Sequence, residues 1–178
     1  MSTVESPHRF DTMRLFVVMG VAGCGKSSVG AAVADRLGAQ YLDGDDFHPQ
    51  ANIEKMSRGD PLTDEDRWPW LQIVAEEAAR QPGRVLTGCS ALRRAYREYL
   101  AAAAGEPVGF IFLDGSRELI ARRMARREGH FMPLSLLDSQ FAALERPSDD
   151  EPALTIDISG SEAQVVARIC SHFSLSDH

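Results

Sequence analysis

The sequence predicts an α/β fold in which a five-stranded parallel sheet is covered by helices on both faces. Short apolar runs alternate with longer runs of helical period along the chain, and such alternation is typical of parallel sheets. Apolar residues make up 44% and charged residues 25% of the 178 residues, which is enough to build one core of ordinary size. A glycine-rich turn joins the first apolar run to the first helical run, as in sheets that bind ligands at the carboxyl ends of their strands.

Five short runs are predicted to be the strands. The run at 15–19 is apolar, partly β-branched and bounded by glycine, which favours a strand buried on both faces. The others lie between helical runs at the spacing that strand–helix–strand units require. In chain order the predicted strands are 15–19, 41–43, 85–89, 108–113 and 154–158.

A helix is predicted after each strand. Gly38 ends the first one, since glycine readily adopts the left-handed conformation there. Thr63 and Asp66 cap an initial turn, and Pro69 places the start of the long third helix near Trp68. The other helices are predicted at 49–56, at 92–103, at 118–127, through Phe141 and Leu144, and after a capping box at Ser161 and Gln164.

Composition excludes several classes of protein. The net charge of −7 disfavours a nucleic acid or anionic membrane as partner. The three cysteines form no CxxC pair, which disfavours a zinc site or disulfide framework and fits the reducing cytoplasm. Residues 1–12 lack the apolar centre of a signal peptide and are expected to be a disordered tail. The uncharged stretch at 15–25 is shorter than the roughly 18 residues that span a membrane.

The strongest motif is a phosphate-binding loop. Residues 20–27 read G-x-x-x-x-G-K-S between the first predicted strand and the first predicted helix, the context that this motif requires. Its glycines allow backbone N–H groups to approach a phosphate, Lys26 neutralises the β and γ phosphates, and the Ser27 hydroxyl binds Mg²⁺. The predicted ATP-binding residues are Gly20, Val21, Ala22, Gly23, Cys24, Gly25, Lys26, Ser27 and Ser28.

An acidic cluster follows the second predicted strand. Asp43, Asp45 and Asp46 place three carboxylates within four residues, and such groups repel one another unless a cation or hydroxyl groups lie between them. One carboxylate is expected near the metal and another at the hydroxyl of a phosphoryl acceptor. The alternative is an acidic turn that caps a helix.

Several stretches outside the phosphate-binding loop make the sequence resemble the gluconate kinases. The resemblance covers about residues 15–147. The matching stretches are 42–49, 52–56 and 59–67 with Trp70 and Leu71, then 89–92 followed by basic residues, and finally 129–131, 140–141 and 144–145.

The resemblance implies one kinase domain at 13–178, similar in fold to shikimate and adenylate kinases. Its activity would be transfer of the ATP γ-phosphoryl group to the 6-hydroxyl of D-gluconate, as part of gluconate catabolism, by a cytoplasmic homodimer. By similarity to shikimate kinases, Asp43 lies near the Mg²⁺ shell with Ser27, and Asp45 meets the acceptor hydroxyl. Whether Asp45 or Asp46 is the base stays open. Asp114, at the end of the fourth strand, is expected to cap a helix.

The resemblance also implies a substrate-binding segment at about 45–80. Gluconate ends in a carboxylate, so its site needs a cation. His48, Ser90 and His130 are expected to contact the substrate. The candidate cations are Lys55, Arg58, Arg67, Arg93 and Arg94; Arg67 and Arg93 are favoured, and the alternative for each is a surface charge or an internal salt bridge.

Four arginines precede the Gly129 loop and indicate a lid at about 122–135. Arg123 and Arg127 lie four residues apart, match the family pattern and are predicted to act in catalysis with Lys26 and Asp45. Arg122 and Arg126 are expected to be solvated. A basic helix face without a catalytic role is the alternative.

Two other functions remain open from the sequence. The chain is either a kinase for another small acceptor, such as shikimate or a nucleoside monophosphate, or a nucleotide-binding regulator without turnover. The first lacks support from the stretch at 89–92. The second leaves the acidic and basic halves of a transfer site without a purpose.

Overall fold

The computed structural model describes residues 10–126 and 133–173. The strands are β1 (Leu15–Met19), β2 (Gln40–Asp43), β3 (Val85–Gly88), β4 (Val108–Asp114) and β5 (Ala153–Asp157). The helices are α1 (Lys26–Leu37), α2 (Gln50–Ser57), α3 (Asp64–Arg80), α4 (Arg94–Ala104), α5 (Arg117–Ala125), α6 (Leu134–Ala143) and α7 (Glu162–Cys170), and a 3₁₀ turn spans Gly44–Phe47.

The strands form one parallel sheet in the order β2-β3-β1-β4-β5, which confirms the predicted fold class. Asp43 at the end of β2 pairs with Gly88 of β3, and Gly88 pairs in turn with Val18 of β1. Because parallel strands end at the same edge of a sheet, the loops that follow β1, β2 and β3 leave side by side.

The sheet separates two apolar layers. Phe16 and Val18 of β1 face a layer shared with α1, α5, α6 and α7. Leu15, Val17 and Met19 face a layer shared with α3 and α4. This alternation follows from the period of two along a strand, and it explains why β1 is apolar throughout. No helix in the described parts of the chain is long and apolar enough to cross a membrane.

Helix α3 begins at Asp64, so the start predicted near Trp68 is wrong. The Thr63 hydroxyl accepts a hydrogen bond from the Asp66 N–H at 3.2 Å, and the Asp66 carboxylate accepts one from the Thr63 N–H at 2.8 Å. This capping box sets the start of the helix. Pro69 lies inside the helix, where it removes one N–H donor from the first turns.

Asp114 does not cap α5, contrary to the prediction. The cap is Ser116, whose hydroxyl accepts a hydrogen bond from the Leu119 N–H at 3.1 Å. The Asp114 carboxylate instead accepts hydrogen bonds from both terminal nitrogens of Arg146, at 2.8 and 2.9 Å. The reason is that α5 begins at Arg117, which puts the capping position two residues beyond Asp114.

One residue of the predicted tail, Phe10, packs against the core. Phe10 is buried, and its ring lies 6.2 Å from that of Phe16 and 6.4 Å from that of Phe173. Residues 1–9 of the predicted tail lie outside the described residues.

A buried ion pair joins α4 to the loop before β5. The side chains of Arg97 and Glu151 are 2% and 7% exposed, and their closest N–O distance is 2.7 Å. Arg97 also donates hydrogen bonds to the carbonyls of Ala91, at 2.9 Å, and Glu145, at 3.0 Å. Ala91 has a φ of 45°, a left-handed conformation that costs energy for a residue with a Cβ. Arg97 therefore holds the loop after β3 in a strained shape.

We expect Arg97→Met to lower the free energy of unfolding by about 3–5 kcal/mol, because it leaves the Glu151 carboxylate buried without its partner. Arg94→Met is the matched control on the same helix. Arg94 pairs with Glu98 and Asp150 at the surface, and exposed pairs contribute about 0–1 kcal/mol. Urea unfolding measures both variants, and equal losses would contradict the assignment.

Candidate active site

The phosphate-binding loop has the backbone shape that its sequence predicts. Gly25 caps α1 with a φ of 97°, and Gly23 has a φ of 80°. A Cβ on Gly23 would lie 2.6 Å from the side chain of Met124 in α5, so the loop packs against α5 only because glycine stands there. The first residue of the phosphate-binding loop is bonded to the loop after β3, since the Gly20 N–H donates to the carbonyl of Ser90 at 3.2 Å.

Lys26 lies folded over this loop. Its ammonium donates hydrogen bonds to the carbonyls of Gly20, at 3.0 Å, and Val21, at 3.1 Å. Carbonyl oxygens carry only partial charge, so a phosphate bound by the loop amides competes well for the same ammonium. The position of Lys26 therefore fits a group that exchanges carbonyl partners for phosphate.

Two contacts of the loop and α1 reach parts of the chain that are distant in sequence. The Ala22 N–H donates to the side-chain carbonyl of Gln140 in α6 at 2.6 Å, and the Ser28 hydroxyl donates to Glu162 in α7 at 2.9 Å. Ser28 is predicted to bind ATP, but in the structure its hydroxyl is hydrogen-bonded to Glu162 of α7. Gln140 and Glu162 were not predicted as site residues. Gln140 lies in one of the stretches that resemble the gluconate kinases, but nothing in the sequence connects either residue to the phosphate-binding loop.

The two halves of the predicted site meet at Ser27 and Asp43. The Ser27 hydroxyl donates to one carboxylate oxygen of Asp43 at 3.3 Å, and the other oxygen accepts the Asp45 N–H at 3.0 Å, which caps the 3₁₀ turn. A hydroxyl and a carboxylate are hard oxygen donors and therefore fit Mg²⁺. No group of three or more His, Cys, Asp or Glu in the described residues could hold a metal by itself, so a cation here would also need oxygens from phosphate and water.

Asp45 and Asp46 differ in their surroundings. Nε2 of His48 lies 3.6 Å from a carboxylate oxygen of Asp45, whose side chain is 79% exposed. The His48 ring is the main cause that lowers the pKa of Asp45, Lys26 adds to the effect, and partial burial opposes it. Asp45 is therefore ionised at neutral pH and faces the charge of Lys26. Asp46 is exposed, and its carboxylate makes no hydrogen bond or ion pair with another described residue.

His48 lies behind Asp45. Its side chain is 6% exposed, and its ring stacks on Trp70 with the ring centres 4.1 Å apart. The indole N–H of Trp70 donates to the carbonyl of Gly44 at 2.8 Å. This hydrogen bond fixes the 3₁₀ turn to α3. The sequence predicts a direct contact between His48 and substrate hydroxyls. The buried position of the ring leaves little room for that contact. Trp70 and Asn52, which also contacts His48, were not predicted as site residues.

Four of the five candidate cations have partners on the protein. Arg67 lies 3.7 Å from Asp64 and donates to the Tyr96 hydroxyl at 3.4 Å. Arg93, the N-cap residue of α4, is exposed, and its guanidinium makes no hydrogen bond or ion pair within residues 10–126 and 133–173. The other paired cations are Lys55 with Asp66, Arg58 with Asp60, and Arg94 with Glu98 and Asp150.

The arginines of the predicted lid also divide into one that is paired with the protein and others that are exposed. Arg123 donates to the carbonyls of Ile158, at 2.6 Å, and Gly160, at 3.0 Å, in the loop after β5. Arg122 and Arg126 are exposed, as predicted for solvated groups. Arg127 and His130 lie outside the described residues.

The loop after β3 contributes backbone rather than reactive side chains. Ser90, predicted to bind substrate, is half-buried and accepts the Gly20 N–H through its carbonyl. Burial raises the pKa of the Cys89 thiol to about 12, so this thiol stays protonated and unreactive at neutral pH. Cys24, Cys89 and Cys170 are all free and buried.

Comparison with known proteins gives consistent matches over most of the chain. A family model described as the AAA domain matches residues 15–147. The gluconokinase of Gluconobacter oxydans is 47% identical over 92% of this chain and 93% of its own length. The thermosensitive gluconokinase of Escherichia coli is 48% identical over 84% of this chain and 82% of its own.

Comparison with solved structures also gives matches to kinases. A gluconokinase from Sinorhizobium meliloti is 45% identical, covers 89% of this chain and 90% of its own, and superposes with a TM-score of 0.82. A shikimate kinase from Acinetobacter baumannii, 18% identical, shares the fold with a TM-score of 0.55 over 92% of this chain and 94% of its own.

Proposed function

The chain belongs to the gluconokinases, within the family described as the AAA domain, and we propose that it transfers the γ-phosphoryl group of ATP to the 6-hydroxyl of D-gluconate. The observation that carries the proposal is the 3.3 Å contact between Ser27 of the phosphate-binding loop and Asp43 of the acidic turn. It brings a donor site for phosphate and a site for the acceptor to the same edge of the sheet.

On the donor side, the loop amides and the N-terminus of α1 bind the β and γ phosphates. Lys26 leaves the carbonyls of Gly20 and Val21 and neutralises the charge that builds up during transfer. Ser27 and Asp43 would hold Mg²⁺. When bound, Mg²⁺ would neutralise phosphate charge and orient the leaving group.

On the acceptor side, we assign Asp45 rather than Asp46 to the reacting hydroxyl. The His48 ring and Lys26 lower the pKa of Asp45, which makes it a weak base but a permanent hydrogen-bond acceptor. That suits phosphoryl transfer, in which the hydroxyl needs orientation first and loses its proton late. Asp46 lacks a comparable neighbour that would orient it.

Arg93 is the candidate for the gluconate carboxylate. It is exposed at the end of the loop after β3 and has no partner among the described residues, whereas Arg67 is paired with Asp64. An unpaired guanidinium at a helix start loses no existing ion pair when it binds a carboxylate. The geometry favours Arg93 over Arg67.

The remaining predicted roles are part of the same proposal. The segment at 45–80 binds gluconate together with Ser90 of the loop after β3, and His48 contributes by holding Asp45 rather than by direct contact with substrate hydroxyls. The segment at 122–135 acts as a lid with Arg123, Arg127 and His130. Arg123 would exchange the carbonyls of Ile158 and Gly160 for phosphate as the lid closes. The free cysteines support a cytoplasmic enzyme, and the family resemblance supports a homodimer.

The proposal is tested by measuring ADP release with ATP and Mg²⁺ across D-gluconate, shikimate, AMP and other sugar acids. We expect turnover with gluconate alone among these, and the product should carry phosphate on O6 by ³¹P–¹H NMR. Preferred turnover of shikimate or AMP would assign the chain to another kinase. Tight ATP binding without turnover on any acceptor would favour a regulator.

We expect Asp45→Asn to lower kcat by about 10²–10⁴-fold, because a neutral amide oxygen accepts a hydrogen bond from the hydroxyl more weakly than a carboxylate and cannot take its proton. Lys26→Ala should cost about 10²-fold or more through lost stabilisation of phosphate charge. Asp46→Asn is the matched control and should stay within about threefold of the wild type. The reverse order of the two aspartate variants would transfer the role to Asp46.

We expect Arg93→Ala to raise the KM for gluconate by about 10- to 100-fold, the cost of one charge-assisted contact, while the KM for ATP stays near its wild-type value. Arg58→Ala removes a cation that is already paired with Asp60 and serves as control. A larger KM increase in Arg67→Ala than in Arg93→Ala would show that the carboxylate binds at Arg67 instead.

A further inference from the structure

We propose that Asn52 is a positioning residue for the acceptor side, because its buried amide holds His48 in the tautomer whose Nε2–H points at Asp45. The effect on catalysis rests on the role proposed for Asp45. The tautomer itself follows from the contacts of Asn52 and is testable without any assumption about the reaction.

The orientation of the Asn52 amide is determined by a backbone carbonyl. Asn52 is 3% exposed, and its side-chain nitrogen lies 3.0 Å from the carbonyl oxygen of Asp66 and 3.3 Å from Nδ1 of His48. A carbonyl oxygen only accepts hydrogen bonds, so the group facing it must be the NH₂ group. Rotating the amide by half a turn would place two oxygens against each other.

The carbonyl that orients Asn52 is itself firmly held. Asp66 belongs to the capping box at the start of α3, and its carboxylate accepts a hydrogen bond from Lys55 at 2.6 Å. These contacts lower the pKa of the Asp66 carboxyl to about 2, so the anchor persists at neutral pH.

The amide in turn determines where His48 carries its proton. An NH₂ donor directed at Nδ1 requires a lone pair on Nδ1, and a neutral imidazole then carries its hydrogen on Nε2. Nε2 lies 3.6 Å from Asp45 Oδ1. Stacking on Trp70, with the two rings inclined by 14°, restricts rotation of the ring, so a hydrogen on Nε2 sits on the ring atom that lies 3.6 Å from the carboxylate.

This arrangement has a use, because the Asp45 side chain is otherwise exposed and free to change rotamer. An N–H directed at Oδ1 favours one rotamer and leaves Oδ2 for the acceptor hydroxyl. In the other tautomer, Nε2 would present a lone pair to the carboxylate and repel it. Asn52 acts through His48 and does not touch the reacting atoms.

The tautomer is measured by two-bond ¹H–¹⁵N correlation NMR on ¹⁵N-histidine-labelled protein without ligands at about pH 8.5, where a histidine is ordinarily neutral. His48→Gln identifies the signal of His48. We expect protonated Nε2 and unprotonated Nδ1 in the wild type. Protonated Nδ1 would overturn the inference whatever the activity of the enzyme.

The positioning role is measured by a double-mutant cycle. We expect Asn52→Ala to lower kcat by about 10- to 100-fold in the wild type but by less than about twofold in Asp45→Asn, since the residue then has nothing to position. Gln50→Ala, at the exposed start of the same helix, should have no effect in either background. Equal losses in both backgrounds would mean a structural role and overturn the inference.

The NMR experiment on the wild type decides the tautomer even if Asn52→Ala fails to fold. If Asp45→Asn itself has wild-type activity, the role proposed for Asp45 fails, while the NMR result on His48 stands or falls independently.

Discussion

The parallel alignment of β1, β3 and β2 is the constraint on which the active site depends. It places the phosphate-binding loop, the loop after β3 and the acidic turn side by side at one edge of the sheet. Two short contacts join them there: the Gly20 N–H donates to the Ser90 carbonyl, and Ser27 donates to Asp43. A change in strand order would separate these groups by the width of a strand, about 5 Å, and break both contacts.

The site consists of exposed reacting groups on a buried polar support. Asp45 and Arg93 are open to solvent, so neither is held in place by its own burial. The groups beneath them are buried and hydrogen-bonded: Trp70 holds the Gly44 carbonyl, and Arg97 holds the Ala91 carbonyl. Polar groups that are buried and fully paired have one low-energy arrangement, and this gives the exposed groups a rigid base.

The sequence was sufficient for the local parts of the molecule. The five strands, most of the helices and the shape of the phosphate-binding loop were predicted, because glycine, capping residues and apolar period act over a few neighbouring residues. The predicted start of α3 was wrong because two local signals competed. Pro69 favoured a start near Trp68, whereas the capping box of Thr63 and Asp66 sets the observed start at Asp64. The prediction that Asp114 caps a helix was wrong because α5 begins at Arg117 with Ser116 as its cap. The actual partner of Asp114, Arg146, is 32 residues away in the sequence.

The sequence motifs identify the reacting groups, but they do not identify the residues with which those groups form hydrogen bonds and ion pairs. Arg67 and Arg93 look equivalent as candidate cations in the sequence, and only the folded chain pairs Arg67 with Asp64 and leaves Arg93 without a described partner. The contact between Ala22 and Gln140 and the layer of Asn52, His48 and Trp70 behind Asp45 likewise required the tertiary structure. Propensity and period depend on adjacent residues, whereas these pairings depend on how helices pack across the sheet, and packing brings together side chains that no spacing rule relates.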